Sequence, residues 1–293
     1  MTHFTGQKKI RPKKESMFAQ TCRRLSKNPV AMTGLAILIV ITLVSIFAPL
    51  IAPYSPDYMD YAALKAGPSA AHLMGCDNLG RDILSRIIYG GRYSLSLGFI
   101  SAMIGLIIGT AVGNLVGYQG GRVDNVVMRI CDIWSAIPGM LLAILVSTAL
   151  GTGFFNTIFA MSIGSIPGSI RNSRAMALKE RNEEYLEAAK AMNCSTFKIL
   201  FKHMLPNTLA PKIVGTTGQI GGTIMQASGL SYIGLGMSIT IPEWGAMCAN
   251  ARNYILTEPH MMIWPGLAIL LTVLAFNLFG DGLRDAMDPR LKD

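Results

Sequence analysis

Few side chains in this sequence can do chemistry, and their spacing argues against most enzymes. The four histidines, His3, His72, His203 and His260, lie in different segments, with no HExxH pair to hold a metal and no GxSxG turn to present a nucleophile. Cys22, Cys76, Cys131, Cys194 and Cys248 are scattered and odd in number, with no CxxC or Cys/His spacing, so neither a zinc site nor a disulfide framework is indicated. Cys76 and Cys248 both fall on the predicted outer side, where they would be able to pair. No Gly-Lys dipeptide occurs, so the GxxxxGK[ST] loop that cradles nucleotide phosphates is missing. Catalytic, cofactor and metal residues are therefore expected to be none.

The informative stretch runs from Arg181 to Asn207. Its first half, Glu183-Glu184-Tyr185-Leu186-Glu187-Ala188-Ala189-Lys190-Ala191, is built of strong helix formers with Glu183 and Glu187 one turn apart. Asn193 can adopt the left-handed conformation that ends a helix, and Ser195 can cap the next one. In that second helix Phe197, Leu200, Phe201, Met204 and Leu205 share a face while Lys198 and Lys202 point away, and Pro206 marks its end. The pattern predicts a two-helix bracket whose tip bears an acid and small alanines, shaped to enter a partner. An amphipathic helix lying on anionic lipid would explain the lysines but not the Glu-Ala-Ala tip or the turn after it.

The elements that carry this bracket are apolar. The chain of 293 residues is 51% hydrophobic and 15% charged, against about 25% charged in soluble domains, and its mean hydropathy is +0.41. Six stretches approach the roughly 20 apolar residues a span requires: Val30–Ile51, Ser94–Val116, Ile130–Leu150, Phe154–Ile170, Ile213–Leu235 and Met261–Phe279. Asp132, beside Arg129, is the one charged residue within them. Ion-coupled carriers usually bury ionisable groups in their spans, so an ion-coupled secondary transporter is the weaker reading. A long basic stretch followed by a full-length span also argues against a cleavable signal peptide.

Orientation follows the basic residues. With the N-terminus inside, 21 of the 26 Lys and Arg fall on the inner side and five outside, which predicts both termini and the 172–207 segment inside. The net charge of +9 thus reads as topology and lipid contact, and no aromatic–basic interleaving accompanies it to suggest nucleic acid. Outside, residues 81–89 show one apolar helical face and predict a short amphipathic helix, while Gly236–His260 reads as turns around Pro242, Trp244 and Pro259. Gly105, Gly109, Gly113 and Gly117 recur every four residues, as do Gly164 with Gly168 and Gly218 with Gly222. Such ladders serve close helix packing, or a subunit seam or moving surface. Pro138 and Pro167 are placed to kink their spans.

Three motifs carry a resemblance. Glu187-Ala188-Ala189, with a turn residue at Asn193 and with Leu205-Pro206, resembles the EAA motif of binding-protein-dependent ABC importer permeases. Gly75-Cys76-Asp77-Asn78-Leu79-Gly80-Arg81-Asp82-Ile83-Leu84-Ser85-Arg86 is similar to the external GTDxxGRDxxSR segment of the dipeptide/oligopeptide/nickel branch. Trp264-Pro265-Gly266 and the run from Asn277 to Pro289 resemble that branch's C-terminal signature, and the likeness is to its C-type dipeptide permease over nearly the whole chain. Asn193 stands where the family has Gly, and Cys76 where it has Thr.

The resemblance implies an all-α integral membrane protein of six transmembrane helices, with the type I ABC importer permease fold and a cytoplasmic coupling helix. Residues 1–91 would hold the basic N-terminus, first span and external segment, 92–281 the five-helix core, and 282–293 an inner tail. Expected partners are a second homologous permease, two cytoplasmic ABC ATPases, an external solute-binding protein and the bilayer of the bacterial plasma membrane. Glu187, Ala188, Ala189, Asn193, Leu205 and Pro206 would form the ATPase-coupling loop. Di- and oligopeptides are the implied solutes, with glutathione, nickel chelates and other metallophores as alternatives on the same fold.

Overall fold

The computed structural model describes residues 17–287; the basic cluster up to residue 16 and the Asp288-Pro289 end of the tail lie outside the described residues. Within them the chain is helical, with no strand and one isolated antiparallel bridge between Cys76 and Asp82. A short α1 (Met17–Leu25) leads into α2 (Pro29–Ile46). Asn28 starts α2 by accepting the Val30 and Ala31 N–H groups at 3.1 and 3.2 Å, and Pro29 costs nothing at the first helical position. One further turn, α3 (Ala48–Ile51), carries the apolar run to its expected end.

The long helix α4 (Ile83–Gln119) begins at Asp82, whose carboxylate accepts the Ser85 N–H at 2.8 Å, and ends at Gly120 with φ +65°. The short outer helix expected at 81–89 is therefore the first two turns of α4. Gly90 and Gly91 do not break it, because they are the points where neighbours press on its backbone. A Cβ at Gly90 would sit 2.1 Å from the Pro242 carbonyl oxygen, and one at Gly91 2.0 Å from Ser45 Oγ.

Next come α5 (Gly121–Ser135) and α6 (Gly139–Leu150), bent by 79° at the break ending in Pro138, as Pro138 predicts. α7 (Phe154–Glu180) keeps Pro167 inside an unbroken helix. The bracket follows as α8 (Glu184–Ala191), α9 (Thr196–Lys198) and a π-helical turn over 199–204, then α10 (Leu205–Tyr232), α11 (Trp244–Ala251) and α12 (His260–Met287). On length and apolarity α2, α4 and α12 can cross a membrane, and the bent pair α5–α6 makes a fourth candidate. α7 and α10 have the length, at 27 and 28 residues, but serine, threonine, glycine and amide side chains dilute their apolar character.

The four-residue glycine ladder of α4 packs against α7. Gly105, Gly109, Gly113 and Gly117 face Ser165, Ser169, Ser173 and Ala177, themselves four apart, so two small-residue ridges meet backbone to backbone. A Cβ at Gly109 would stand 2.3 Å from Ser169 Cβ. This ladder is intrachain packing. The lone charge of the expected spans, Asp132, is also accounted for: Arg171 donates to it at 3.1 Å and Arg129 lies 3.8 Å away.

In the segment expected outside, the Gly75–Arg86 motif folds into a knot of buried polar groups. Asp77 accepts from the Leu79 and Arg81 N–H groups and from Arg81 Nε at 2.7 Å, while Asp82 accepts from Ser85 Oγ and meets His72 Nδ1 at 3.0 Å. Arg86 is 1% exposed and donates to the carbonyls of Pro56, Ile239 and Thr240, which ties the 52–93 and 236–260 segments together. Cys76 is buried beside these carboxylates, and burial, with Asp82, Asp77 and Asp60, pushes its thiol up to about 12. All five cysteines are unpaired.

The 236–260 segment holds α11, which the turn-rich reading of Gly236–His260 does not foresee. Glu243 caps it, accepting the Gly245 and Ala246 N–H groups at 2.9 and 2.8 Å, and Trp244 Nε1 donates to the Ile87 carbonyl at 3.0 Å. Burial raises the Glu243 carboxyl above its ordinary value.

Candidate functional site

The bracket leaves α7 at Glu180 and returns to the bundle through α10. Glu183 precedes α8 in extended conformation, Glu184 and Glu187 sit in its first turn, and Lys190 sits in its last, so charge complements the helix dipole at both ends. α8 ends as the sequence predicts: Asn193 is left-handed with φ +55°, one of two non-glycine residues with positive φ among those described. Around it the Cys194 N–H reaches back to the Ala189 carbonyl at 3.1 Å and the Asn193 N–H to Lys190 at 2.9 Å. This is the paired pattern of a Schellman turn. Ser195 Oγ then accepts the Lys198 N–H at 3.4 Å and caps α9.

The faces of the bracket differ from the sequence reading in two places. Ala189 is 1% exposed and packs with Leu186, Ala177, Ile199 and Met204, so of the motif only Glu187 and Ala188 point outward. In the second helix Ile199 and Met204 face inward, while Phe197 and Phe201 are exposed and stack on each other at 4.4 Å. Nor does Pro206 end that helix. The helix widens to a π turn over 199–204, after which Pro206 stands in the first turn of α10. A proline interior to an α-helix clashes with the carbonyl four residues back, and the wider turn relieves that clash. Leu205 is half-buried and Pro206 exposed at this junction.

The bracket is thus fastened to several helices. Its apolar core touches α7 through Ala177 and α4 through Tyr118, and continues into α10 through the π turn. Lys190 Nζ lies over the Tyr118 ring at 5.5 Å. Tyr185 donates to the Glu180 carboxylate at the end of α7, and burial together with that carboxylate pushes its phenol up to about 12. Arg174 forks onto Asp124, one bond being 2.6 Å, and fixes α5 to α7 just before the bracket. The arrangement suits transmission of force. Among the described residues no cluster of His, Cys, Asp and Glu gathers to hold a metal.

Known proteins agree with this architecture. Residues 83–293 match the family profile described as binding-protein-dependent transport system inner membrane component, and residues 16–68 match the N-terminal TM domain of oligopeptide transport permease C. The chain is 46% identical over 272 residues to the glutathione transport system permease protein GsiD of Pectobacterium atrosepticum, covering 92% of this chain and 90% of that one. It is also 46% identical over 271 residues to GsiD of Escherichia coli O6:K15:H31, covering 92% and 89%. Among solved structures, an inward-facing conformation of the MetNI methionine ABC transporter aligns with TM-score 0.55 and 22% identity, over 68% of this chain and 95% of the other. That alignment supports the all-helical type I importer fold. Family profile, relatives and fold together place the chain in the binding-protein-dependent transport system inner membrane component family, as an ABC importer permease of the dipeptide/oligopeptide branch.

Proposed function

We propose that this chain forms one half of the membrane pathway of a plasma-membrane importer for short peptides, glutathione included, and that its bracket is where ATP-driven motion enters. Its partners are a second permease, two ATPases on the inner face and a solute-binding protein outside. The chain crosses the membrane six times as α2–α3, α4, α5–α6, α7, α10 and α12, with both termini inside. Residues 92–281 form its five-helix core.

The observation that carries the reading is the bracket: Glu187 and Ala188 exposed on a short helix whose other face is buried against α7, α4 and the start of α10. A small side chain at 188 lets the helix enter a groove, and Glu187 offers a carboxylate to a basic residue inside it. When ATP draws the two ATPases together, a docked α8 carries α7 and α10 with it. Those helices then re-pack between inward- and outward-open arrangements, each state favoured by its own contacts. The absence of a phosphate-binding loop from the sequence fits an engine in separate subunits. The peptide reading draws support from the two GsiD relatives.

The test is the complete transporter reconstituted in liposomes with radiolabelled glutathione and dialanine. Uptake is expected to need ATP, the ATPases and the binding protein, and the isolated chain should hydrolyse no ATP above background. Uptake without the ATPases, or hydrolysis by the chain alone, would overturn the proposal.

A further inference from the structure

Between α6, α7 and α10 opens a cleft of about 400 Å³. That is within the general size range of small-molecule sites, roughly 300–1,000 Å³. Its wall on α10 carries Gln219, Thr223 and Gln226, and its wall on α7 carries Ser165 and Ser169. Gln219 is halfway along α10, and Gln226 is two turns further on the same face. Both carboxamides are exposed and have no hydrogen-bond partner among the described residues. Thr223 turns its proton back to the Gln219 carbonyl at 3.0 Å, and Ser165 to Ser162 at 2.9 Å, which leaves hydroxyl oxygens free to accept.

A carboxamide without a partner costs several kcal/mol in hydrocarbon, so this face does not meet lipid. The glycines on it differ from the α4 ladder as well. A Cβ at Gly168 or Gly222 would meet nothing within 4 Å, so here smallness keeps space open. No lining residue is charged.

We propose that this neutral cleft is the chain's share of the solute path, and that Gln219 and Gln226 are specificity-determining contacts for the amide groups of a peptide backbone. The proposal rests on the importer reading above. Carboxamides both donate and accept, which matches the N–H and C=O of successive peptide units. Without fixed charge the cleft does not hold a charged terminus in place, so the solute can leave as well as enter.

The experiment uses the assembled transporter in a cysteine-free background, with single cysteines at 219, 223 and 226. A membrane-impermeant thiol reagent should label all three, and saturating S-methylglutathione, which has no free thiol to consume the reagent, should slow labelling when its binding protein is present. A cysteine replacing Leu270, exposed on α12 away from the cleft, should stay unlabelled. In parallel, Gln226→Leu should lower glutathione uptake about tenfold, the loss of one net hydrogen bond, with Gln226→Asn recovering part of it. Gln226→Glu should slow net-anionic glutathione more than zwitterionic dialanine. If the wild type transports but none of the three cysteines reacts, another protein chain fills the cleft and the inference fails. It fails equally if Gln226→Leu and Gln226→Glu leave both rates unchanged. If the wild type itself does not transport, the importer reading fails instead, and the two outcomes are distinct.

Discussion

Replacing Gly109 by alanine tests the close packing of α4 on α7. The added Cβ would lie 2.3 Å from Ser169 Cβ, 2.8 Å from the Ser169 carbonyl carbon and 3.1 Å from the Ile170 nitrogen. Carbon atoms rest at about 3.5–4.0 Å, so α7 must retreat by more than ~1 Å at that rung. α7 is stiff, so the retreat also loosens the contacts at Gly105, Gly113 and Gly117. Overpacking of this kind costs about 1–3 kcal/mol, while glycine-to-alanine in a helix returns ~0.5–1 kcal/mol. The net expectation is a loss of about 1–2 kcal/mol, a fall in melting temperature of a few degrees for a chain of this size. Gly215→Ala is the control, since nothing lies within 4 Å of its Cβ and only the gain in helix propensity remains. Ser169→Gly added to Gly109→Ala should recover part of the loss, because it removes the nearest atom but not the backbone behind it. Thermal unfolding of the purified permease in detergent reads all four proteins. Equal stability of Gly109→Ala and Gly215→Ala would refute the close seam.

Two further outcomes follow from single residues. Asn193→Gly should leave uptake unchanged or improved, because glycine reaches φ +55° without steric cost, whereas Asn193→Val should displace the bracket at about 1–2 kcal/mol; normal uptake by the valine variant would contradict the turn. Glu243 binds its proton more tightly folded than unfolded, since burial raises its carboxyl from 4.5. Stability should therefore fall as pH rises above about 4.5, and Glu243→Gln, which keeps an acceptor for the cap, should flatten that slope in a pH series of melting curves. An unchanged slope would show that Glu243 does not carry it.

How much was legible in the sequence depended on whether the controlling contact was local. Asn193 and Ser195 could be read because helix ends are fixed by residues a few positions apart. The glycine ladder announced a close seam, although its partner ridge at 165, 169, 173 and 177 became visible only when α4 and α7 lay together. The ordinary rule makes Pro206 a helix end, and the π turn before it evades that rule. The contiguous motif puts Ala189 in the tip, yet in a helix adjacent residues point about 100° apart, and of the two alanines only Ala188 faces out. α11 stayed hidden because it is eight residues long, among turn formers, and started by a Glu243 cap whose Ser94 contact spans 149 positions. Gln219 and Gln226 left a faint sign, two amides seven residues apart in an apolar run. Their importance emerges only from the cleft they line.

The most direct test of the central claim is equilibrium association of the ATPase subunits with the permease pair, comparing wild type with Ala188→Trp. Ala188 is exposed, so the larger ring leaves the bracket's own core of Leu186, Ala189, Ile199 and Met204 intact. The account predicts normal membrane insertion and permease pairing, ATPase affinity reduced by about tenfold or more, the effect of losing roughly 1.4 kcal/mol at the interface, and loss of uptake. Wild-type affinity together with wild-type uptake in Ala188→Trp would contradict it and leave α8 as a helix resting on the lipid surface.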